Sequence, residues 1–302
     1  MSRSSLSSSS PDRREGDAHL APRADGEVAA GRPPGDASSR FRALHAMGHL
    51  LILPNAWDVG SAGLLASCGA EAVATTSAGL AWSHGYRDGN ELPVRLLEAT
   101  VLAMTRVIDI PLTVDTEAGY THEPRAVGEL VVALANAGAV GINIEDGADA
   151  PALLCAKIGA VKSAVAHAGL DVFVNVRTDV YLRGLVPTPR AVEETLARAR
   201  QYRDAGCDGI FVPGVAASDD IRALVDGVSP LPLNVMAVPG LPDAAELRSL
   251  GVRRLSAGAA LASAAFGRAR RLATAFLRDG CSALWDAETV PYTEMNALFA
   301  RG

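Results

Sequence analysis

Residues 111–145 read PLTVDTEAGYTHEPRAVGELVVALANAGAVGINIE, and this stretch decides the fold. It opens on an apolar run, Pro111–Asp115, that ends in a carboxylate. After a polar turn, Pro124 starts a segment whose apolar residues recur at helical spacing as far as Ala137. Gly138 then stops the helix, and a second apolar run, Gly141–Glu145, again ends in a carboxylate. Two such runs with a helix between them predict a β-α-β unit. The runs are apolar rather than alternating, as parallel strands covered on both faces are.

The pattern repeats in both directions. Strand-like runs occupy Leu50–Pro54, Ala72–Thr76, Val172–Arg177, Gly209–Val212, Leu233–Ala237 and Arg254–Ser256. Helical stretches lie near 59–69, 92–108, 151–168, 189–205, 218–227, 243–250 and 259–278. Gly69, Gly206 and Gly251 mark further helix ends, Asp58, Ser218 and Asp243 are expected N-caps, and Pro189 suits a first turn. Eight β and eight α units between about residues 40 and 279 predict a (β/α)8 TIM barrel. The open doubly wound sheet is the rival, but the first turn here, Pro54-Asn55-Ala56-Trp57-Asp58, is no G-x-G-x-x-G.

Composition narrows the class. The 302 residues are 49% hydrophobic and 21% charged, as in a soluble globular protein. No uninterrupted apolar stretch reaches the roughly 18 residues of a membrane span. Net charge is −6, only Lys157 and Lys162 are lysines, and no basic stripe appears, which argues against nucleic acid. The 4 cysteines are far apart and form no C-x-x-C pair, so neither a disulfide framework nor a zinc site is expected, and a cytoplasmic protein with reduced thiols is. Residues 1–39, rich in Ser, Arg, Asp, Gly and Pro, read as a disordered tail without a secretory signal. Residues 280–302 form a short amphipathic helical coda that caps the fold or touches a neighbouring subunit.

Barrel chemistry belongs at the C-terminal ends of the strands. After the second strand, Ser77-Ala78-Gly79 is a small-residue turn. It either faces a carboxylate or phosphate with its amides or is an ordinary tight connection. The next two strands end in Asp115, Glu117, Glu145 and Asp146. Crowded carboxylates repel, and a hard cation such as Mg2+ removes that conflict. Asp88 is a further candidate acid in a Gly-containing segment. Arg177, at the end of an apolar strand, needs an anionic partner: a substrate carboxylate or phosphate, or a structural pair with Glu145 or Asp179. Asn234 is either a substrate hydrogen-bonder or a satisfied barrel amide, and His84 and His122 read as solvated loop residues.

In chain order, Pro54-Asn55-Ala56-Trp57-Asp58, Thr76-Ser77-Ala78-Gly79, Gly85-Tyr86-Arg87-Asp88, Asp115-Thr116-Glu117-Ala118-Gly119-Tyr120, Asn143-Ile144-Glu145-Asp146-Gly147 and Val176-Arg177-Thr178-Asp179 resemble motifs of the isocitrate lyase/phosphoenolpyruvate mutase superfamily. The resemblance spans roughly residues 41–278. It implies a barrel whose last helix is often exchanged between subunits, in a homodimer or homotetramer. It also implies action with Mg2+ on a small 2-oxo or 2-hydroxy carboxylic acid. Position by position, Ser77 and the amides of Ala78 and Gly79 would hold the substrate carboxylate. Asp88, Asp115 and Glu117 would hold Mg2+, partly through water. Glu145 would orient water or a substrate group, Arg177 would bind the oxyanion, and Asn234 would touch the distal part of the substrate. The proton acceptor would be Asp88, Glu117 or a bound water.

Three features depart from the pattern. The family more often has Asp at the position of Glu117. The lyases' Lys-Lys/Arg-Cys-Gly-His loop is missing, since residues 147–157 are short and place Cys155 within a helix. A family Glu near the end of strand 6 is replaced by Val212-Pro213-Gly214. The expectation is a C–C lyase working through an enolate-like intermediate. The alternatives are C–P chemistry, as in a phosphonopyruvate hydrolase or phosphoenolpyruvate mutase, and a non-catalytic barrel that binds a small acid.

Overall fold

The computed structural model describes residues 34–46, 48–280 and 289–300. Among the described residues there are nine strands: β1 (Leu51–Leu53), β2 (Asn55–Ala56), β3 (Val73–Thr75), β4 (Leu112–Asp115), β5 (Gly141–Glu145), β6 (Phe173–Arg177), β7 (Gly209–Val212), β8 (Leu233–Met236) and β9 (Arg254–Ser256). They form one parallel sheet in the order β1-β9-β8-β7-β6-β5-β4-β3-β2. The ends of that order, β1 and β2, are separated in the chain by Pro54 alone. Proline has no N–H to give a ladder, so the first barrel strand breaks there. Its first half pairs with β9 and its second half with β3, and the sheet closes on itself. The expected eight strands are these nine segments, with β1 and β2 as one bent strand.

The helices are α1 (Pro34–Ala43), α2 (Val59–Ser67), α3 (Ser77–Ser83), α4 (Val94–Val107), α5 (Pro124–Asn136), α6 (Pro151–His167), α7 (Ala191–Asp204), α8 (Ser218–Val228), α9 (Ala244–Leu250), α10 (Ala260–Asp279) and α11 (Tyr292–Leu298). Gly69, Gly138, Gly206 and Gly251 all take left-handed backbone, as helix stops do. Asp58 and Asp243 cap α2 and α9 by accepting the backbone N–H of Ser61 and Glu246. Ser218 is instead the first residue of α8, and its hydroxyl bonds Glu246. Pro189 sits in a 3-10 turn just before α7.

Outward-facing Ile142, Ile144, Val174 and Val176 pack with helix residues such as Val127, Val131, Ile158 and Val161. The alternate strand positions are polar. Asn175 donates to both Asn143 (2.9 Å) and Asn234 (3.0 Å), and the fully buried Arg254 donates to Asn143 (3.1 Å). The barrel interior thus holds a hydrogen-bonded amide layer, next to an inner apolar cluster in which Leu51, Leu53, Ala74 and Phe173 pack with Phe41.

Described structure starts earlier than the sequence reading allowed. Residues 34–39 belong to α1 and not to the tail; residues 1–33 lie outside the described residues. The anchors of α1 are non-local, which is why a composition window misses them. Phe41 is fully buried and sits edge-on to Phe173 with ring centroids 5.7 Å apart. His45, just past the helix, stacks on Phe173 at 4.3 Å. Arg42 spans Asp171 (2.6 Å) and Asp208 (3.0 Å). A second feature escaped the sequence reading: the turn after β3 is itself a short helix, α3.

At the other end, α10 buries only Ala262 and exposes Phe266, Phe276 and Leu277. The described part of the coda covers the fold: the Phe299 ring lies so close to Gly63 of α2 that a Cβ there would meet it at 2.8 Å. Residues 281–288 and 301–302 of the coda lie outside the described residues. Among the described residues, no helix is long and apolar enough to cross a membrane.

Two outcomes test the α1 seat. Phe41→Ala is expected to lower the unfolding free energy by about 3–5 kcal/mol in a denaturant titration. His45 is buried, and burial lowers its pKa to about 3. The unfolded chain then binds a proton that the folded one refuses, so this contribution is full above pH 6.5 and shrinks as pH falls toward 3. Stability should drop by about 1.4 kcal/mol per pH unit over that window from this group alone, and His45→Phe should flatten the slope.

Candidate active site

The site is built from the strand ends. Asp115, the last residue of β4, accepts the backbone N–H of Ser77 on one oxygen (3.3 Å) and that of Glu117 on the other (3.2 Å). Its own N–H donates to the Thr75 hydroxyl at 2.8 Å, tying β4 to β3. Glu117 is buried; one carboxylate oxygen accepts the amides of Gly89 (2.9 Å) and Asn90, and the other is buried with no hydrogen-bond partner. Asp88 sits at the exposed rim of this cluster, against the Ser77 hydroxyl. Burial first, then the charge of Asp115, raises the Asp88 pKa. Burial raises Glu117 as well, with Asp88 and Asp115 adding to the effect. Ser77, Asp88, Asp115 and Glu117 are thus one cluster, as the sequence reading expects.

The donor set is one that suits Mg2+. It is all oxygen, three acids share one neighbourhood, and one buried Glu117 oxygen lacks a partner. Among the described residues no three acidic, His or Cys side chains stand close enough to grip one ion directly. Mg2+ commonly takes one or two carboxylates directly and keeps waters elsewhere, so the acids fit it through a partly hydrated ion.

The cationic side comes from β5 and β6. Arg177 pairs with Glu145 at 2.7 Å and grips Asp179 with two donors at 2.6 and 3.1 Å. The structural ion pairs weighed for Arg177 are therefore both present. An Arg has five donors, and two remain for a ligand. Burial pushes Glu145 upward, opposed by Arg177 and assisted by Asp115 and Asp179. The same neighbours hold Arg177 well above its ordinary range.

Asp146 does something the sequence reading did not foresee. It is buried, away from the acid cluster, and accepts four donors: Thr178 Oγ1 (2.8 Å), the Asp179 amide (2.9 Å), Arg198 (2.9 Å) and the Tyr202 hydroxyl (2.7 Å). Asp179 in turn holds both Arg177 and Arg183. Arg198 and Tyr202 stand four residues apart, hence on one face of α7, and that spacing was the available signal.

Ser77, Ala78 and Gly79 open α3, so their amides belong to a helix's first turn. Gly79 has a packing reason as well: a Cβ there would meet Trp57 at 2.5 Å and Thr76 at 2.8 Å. Asn234 needs correction. It is buried, accepts from Asn175, and its own amide donates to Val235 O, Arg254 O and Ser256 Oγ. It serves the amide layer and offers no open donor to a substrate. His122 is exposed, His84 bonds Thr100, and Cys155 lies within α6, as expected.

With this geometry in view, the model of the phosphoenolpyruvate phosphomutase family matches residues 41–277. The chain belongs to that family. It is 38% identical over 262 residues to an uncharacterized Mycobacterium tuberculosis protein, Rv1998c, covering 85% of this chain and 95% of that one. It is 34% identical over 166 residues to the oxaloacetate decarboxylase of Paraburkholderia xenovorans, covering 51% of this chain and 53% of the relative. Among solved structures, a candidate phosphonomutase from Burkholderia cenocepacia J2315 shares 40% identity and superposes with a TM-score of 0.75 over 79% of this chain and 99% of that one. A 2,3-dimethylmalate lyase of the PEP mutase/isocitrate lyase superfamily shares 26% identity with a TM-score of 0.77, covering 87% of this chain and 94% of its own.

In this phosphomutase-family barrel, the position of Arg177 depends on a buried anion that touches no ligand. Asp146→Ala leaves the buried Tyr202 and Thr178 hydroxyls without this acceptor, while Arg198 keeps only Glu194. An unfolding titration should show a loss of about 3–5 kcal/mol, the usual cost of breaking a buried pair from one side.

Proposed function

We propose that this chain is a Mg2+-dependent lyase that breaks a C–C bond in a small 2-oxo or 2-hydroxy carboxylic acid. The single observation that carries the reading is the placement of its two halves. Asp115 ends β4, and the ion-paired Glu145 and Arg177 stand side by side at the ends of β5 and β6, so the acids and the guanidinium lie at the same end of neighbouring strands. A forked cation and a carboxylate cluster therefore share one mouth of the barrel, where a metal-assisted reaction of an anionic substrate is expected. The decarboxylase and lyase relatives support the reaction class. When bound, Mg2+ supplies positive charge that polarises a substrate oxygen.

The chain's own residues do the rest. Ser77 and the first-turn amides of Ala78 and Gly79 receive the substrate carboxylate. The two spare donors of Arg177 meet the oxyanion that develops as the bond to its α-carbon breaks. Glu145 keeps Arg177 turned toward that atom and orients the reacting group. Asp88, beside the Ser77 hydroxyl, takes the proton of a 2-hydroxyl group. The exposed apolar residues of α10 support a homodimer or homotetramer assembled through that helix.

A second reading, C–P bond chemistry, is favoured by the phosphomutase family match and the phosphonomutase-like neighbour. One set of assays separates the two. With purified protein and Mg2+, a panel of 2-oxo and 2-hydroxy acids including oxaloacetate is expected to release a 2-oxo acid. Phosphonopyruvate is expected to release no phosphate; phosphate release would transfer the assignment to C–P chemistry. Arg177→Ala should lower kcat/KM by roughly 100-fold or more. Oxalate, a mimic of the pyruvate enolate, should raise the melting temperature only together with Mg2+. At about 100 times its Kd it adds about 2.7 kcal/mol, or several degrees. Asp115→Ala should abolish the shift, and an unaltered shift in that variant would sink the metal assignment.

A further inference from the structure

Among the described residues, three other than glycine hold left-handed backbone: Asn90 (φ 63°), Glu117 (φ 49°) and Tyr120 (φ 59°). All three belong to one clasp. Glu117 reaches from the loop after β4 and accepts the amides of Gly89 and Asn90 on a single oxygen, Oε2. Asn90 reaches back, its Oδ1 accepting the Tyr120 amide at 3.1 Å. Segments 88–90 and 117–120 are thereby tied in both directions. The second segment is also propped from beneath: Lys157, buried in α6, donates its amine to Ala118 O at 2.7 Å. Strained backbone of this kind persists only where its surroundings over-determine it, and it gathers at functional sites.

We propose that Glu117 is a latch, a positioning residue that fixes the Asp88-bearing segment over the end of β4 before any ligand arrives. Oε2 does this work, and the buried Tyr120 hydroxyl lies beside the same carboxylate. The proposal rests on the reading above in one respect, that Asp88 works in the site. It adds a reason for the length of the side chain at 117. An aspartate starting from the same Cα is one methylene shorter and falls short of two amides on another segment, whereas a glutamine has the same reach and one acceptor oxygen.

The test is residue-resolved hydrogen–deuterium exchange on the full-length, metal-free protein, with no substrate present. In the parent chain the Gly89 and Asn90 amides should be protected. Glu117→Asp should speed their exchange at least tenfold while β5 and β6 amides stay unchanged, and Glu117→Gln should restore most of the protection. Equal protection in Glu117→Asp and the parent chain would overturn the proposal. So would equal loss in the Asp and Gln variants. Should Glu117→Asp open the whole barrel, Asn90→Gly decides: it relieves the backbone and removes only the return bond, so Tyr120 alone should exchange faster. An unchanged Tyr120 amide would overturn the two-way clasp. Because exchange needs neither metal nor substrate, a failed latch leaves the Mg2+ and oxalate response standing, and a failed lyase assay leaves the latch standing.

Discussion

A carboxylate in a protein interior needs donors to replace the water it has lost. Asp146 meets that condition with four, and the cationic half of the site hangs on it. Two of the donors come from the strand-end segment after β6 and two from α7, so the anion fixes the segment against the helix ring. Asp179 then stands where it can hold Arg177 by two donors. The order is causal: buried charge, backbone position, carboxylate position, guanidinium position. Removing the first member moves the last without touching it.

The acidic half is organised the other way. Asp115 and Glu117 accept backbone amides from neighbouring segments, and this joins the ends of β3 and β4 to the loop that carries Asp88. Burial first, and then the charges of the neighbouring acids, raise Asp88 and Glu117, and a cation would relieve the repulsion. Side-chain charge thus serves two ends at once: it holds loops in place, and it leaves an electrostatic debt that a ligand settles.

Most of the barrel was legible because its signals are local. Gly138, Gly206 and Gly251 stop helices where left-handed backbone is needed, Asp58 and Asp243 cap helices, and buried strands such as Gly141–Glu145 are short apolar runs. The acid cluster was legible because barrel topology brings successive strand ends together. What stayed hidden is non-local. The seat of α1 depends on Asp171 and Asp208, Asn234 looks like a ligand residue until the interior amide layer is seen, and Asp146 looks like one more metal-site acid until Arg198 and Tyr202 arrive from α7. α3 was missed because its small residues read equally well as a turn.

The seat of α1 also says something about the order in which this chain assembles. Synthesis runs from the N-terminus, so α1 emerges before any strand. Its ion-pair partners follow 129 and 166 residues later, and β1 cannot find β9 until the last strand is made. At about 5–20 residues per second, the first helix waits many seconds with Phe41 uncovered. This early helix is thus among the last elements to be seated, and closure of the ring and docking of α1 are late, long-range events. Until the ring is complete, Phe41 has no finished barrel to enter.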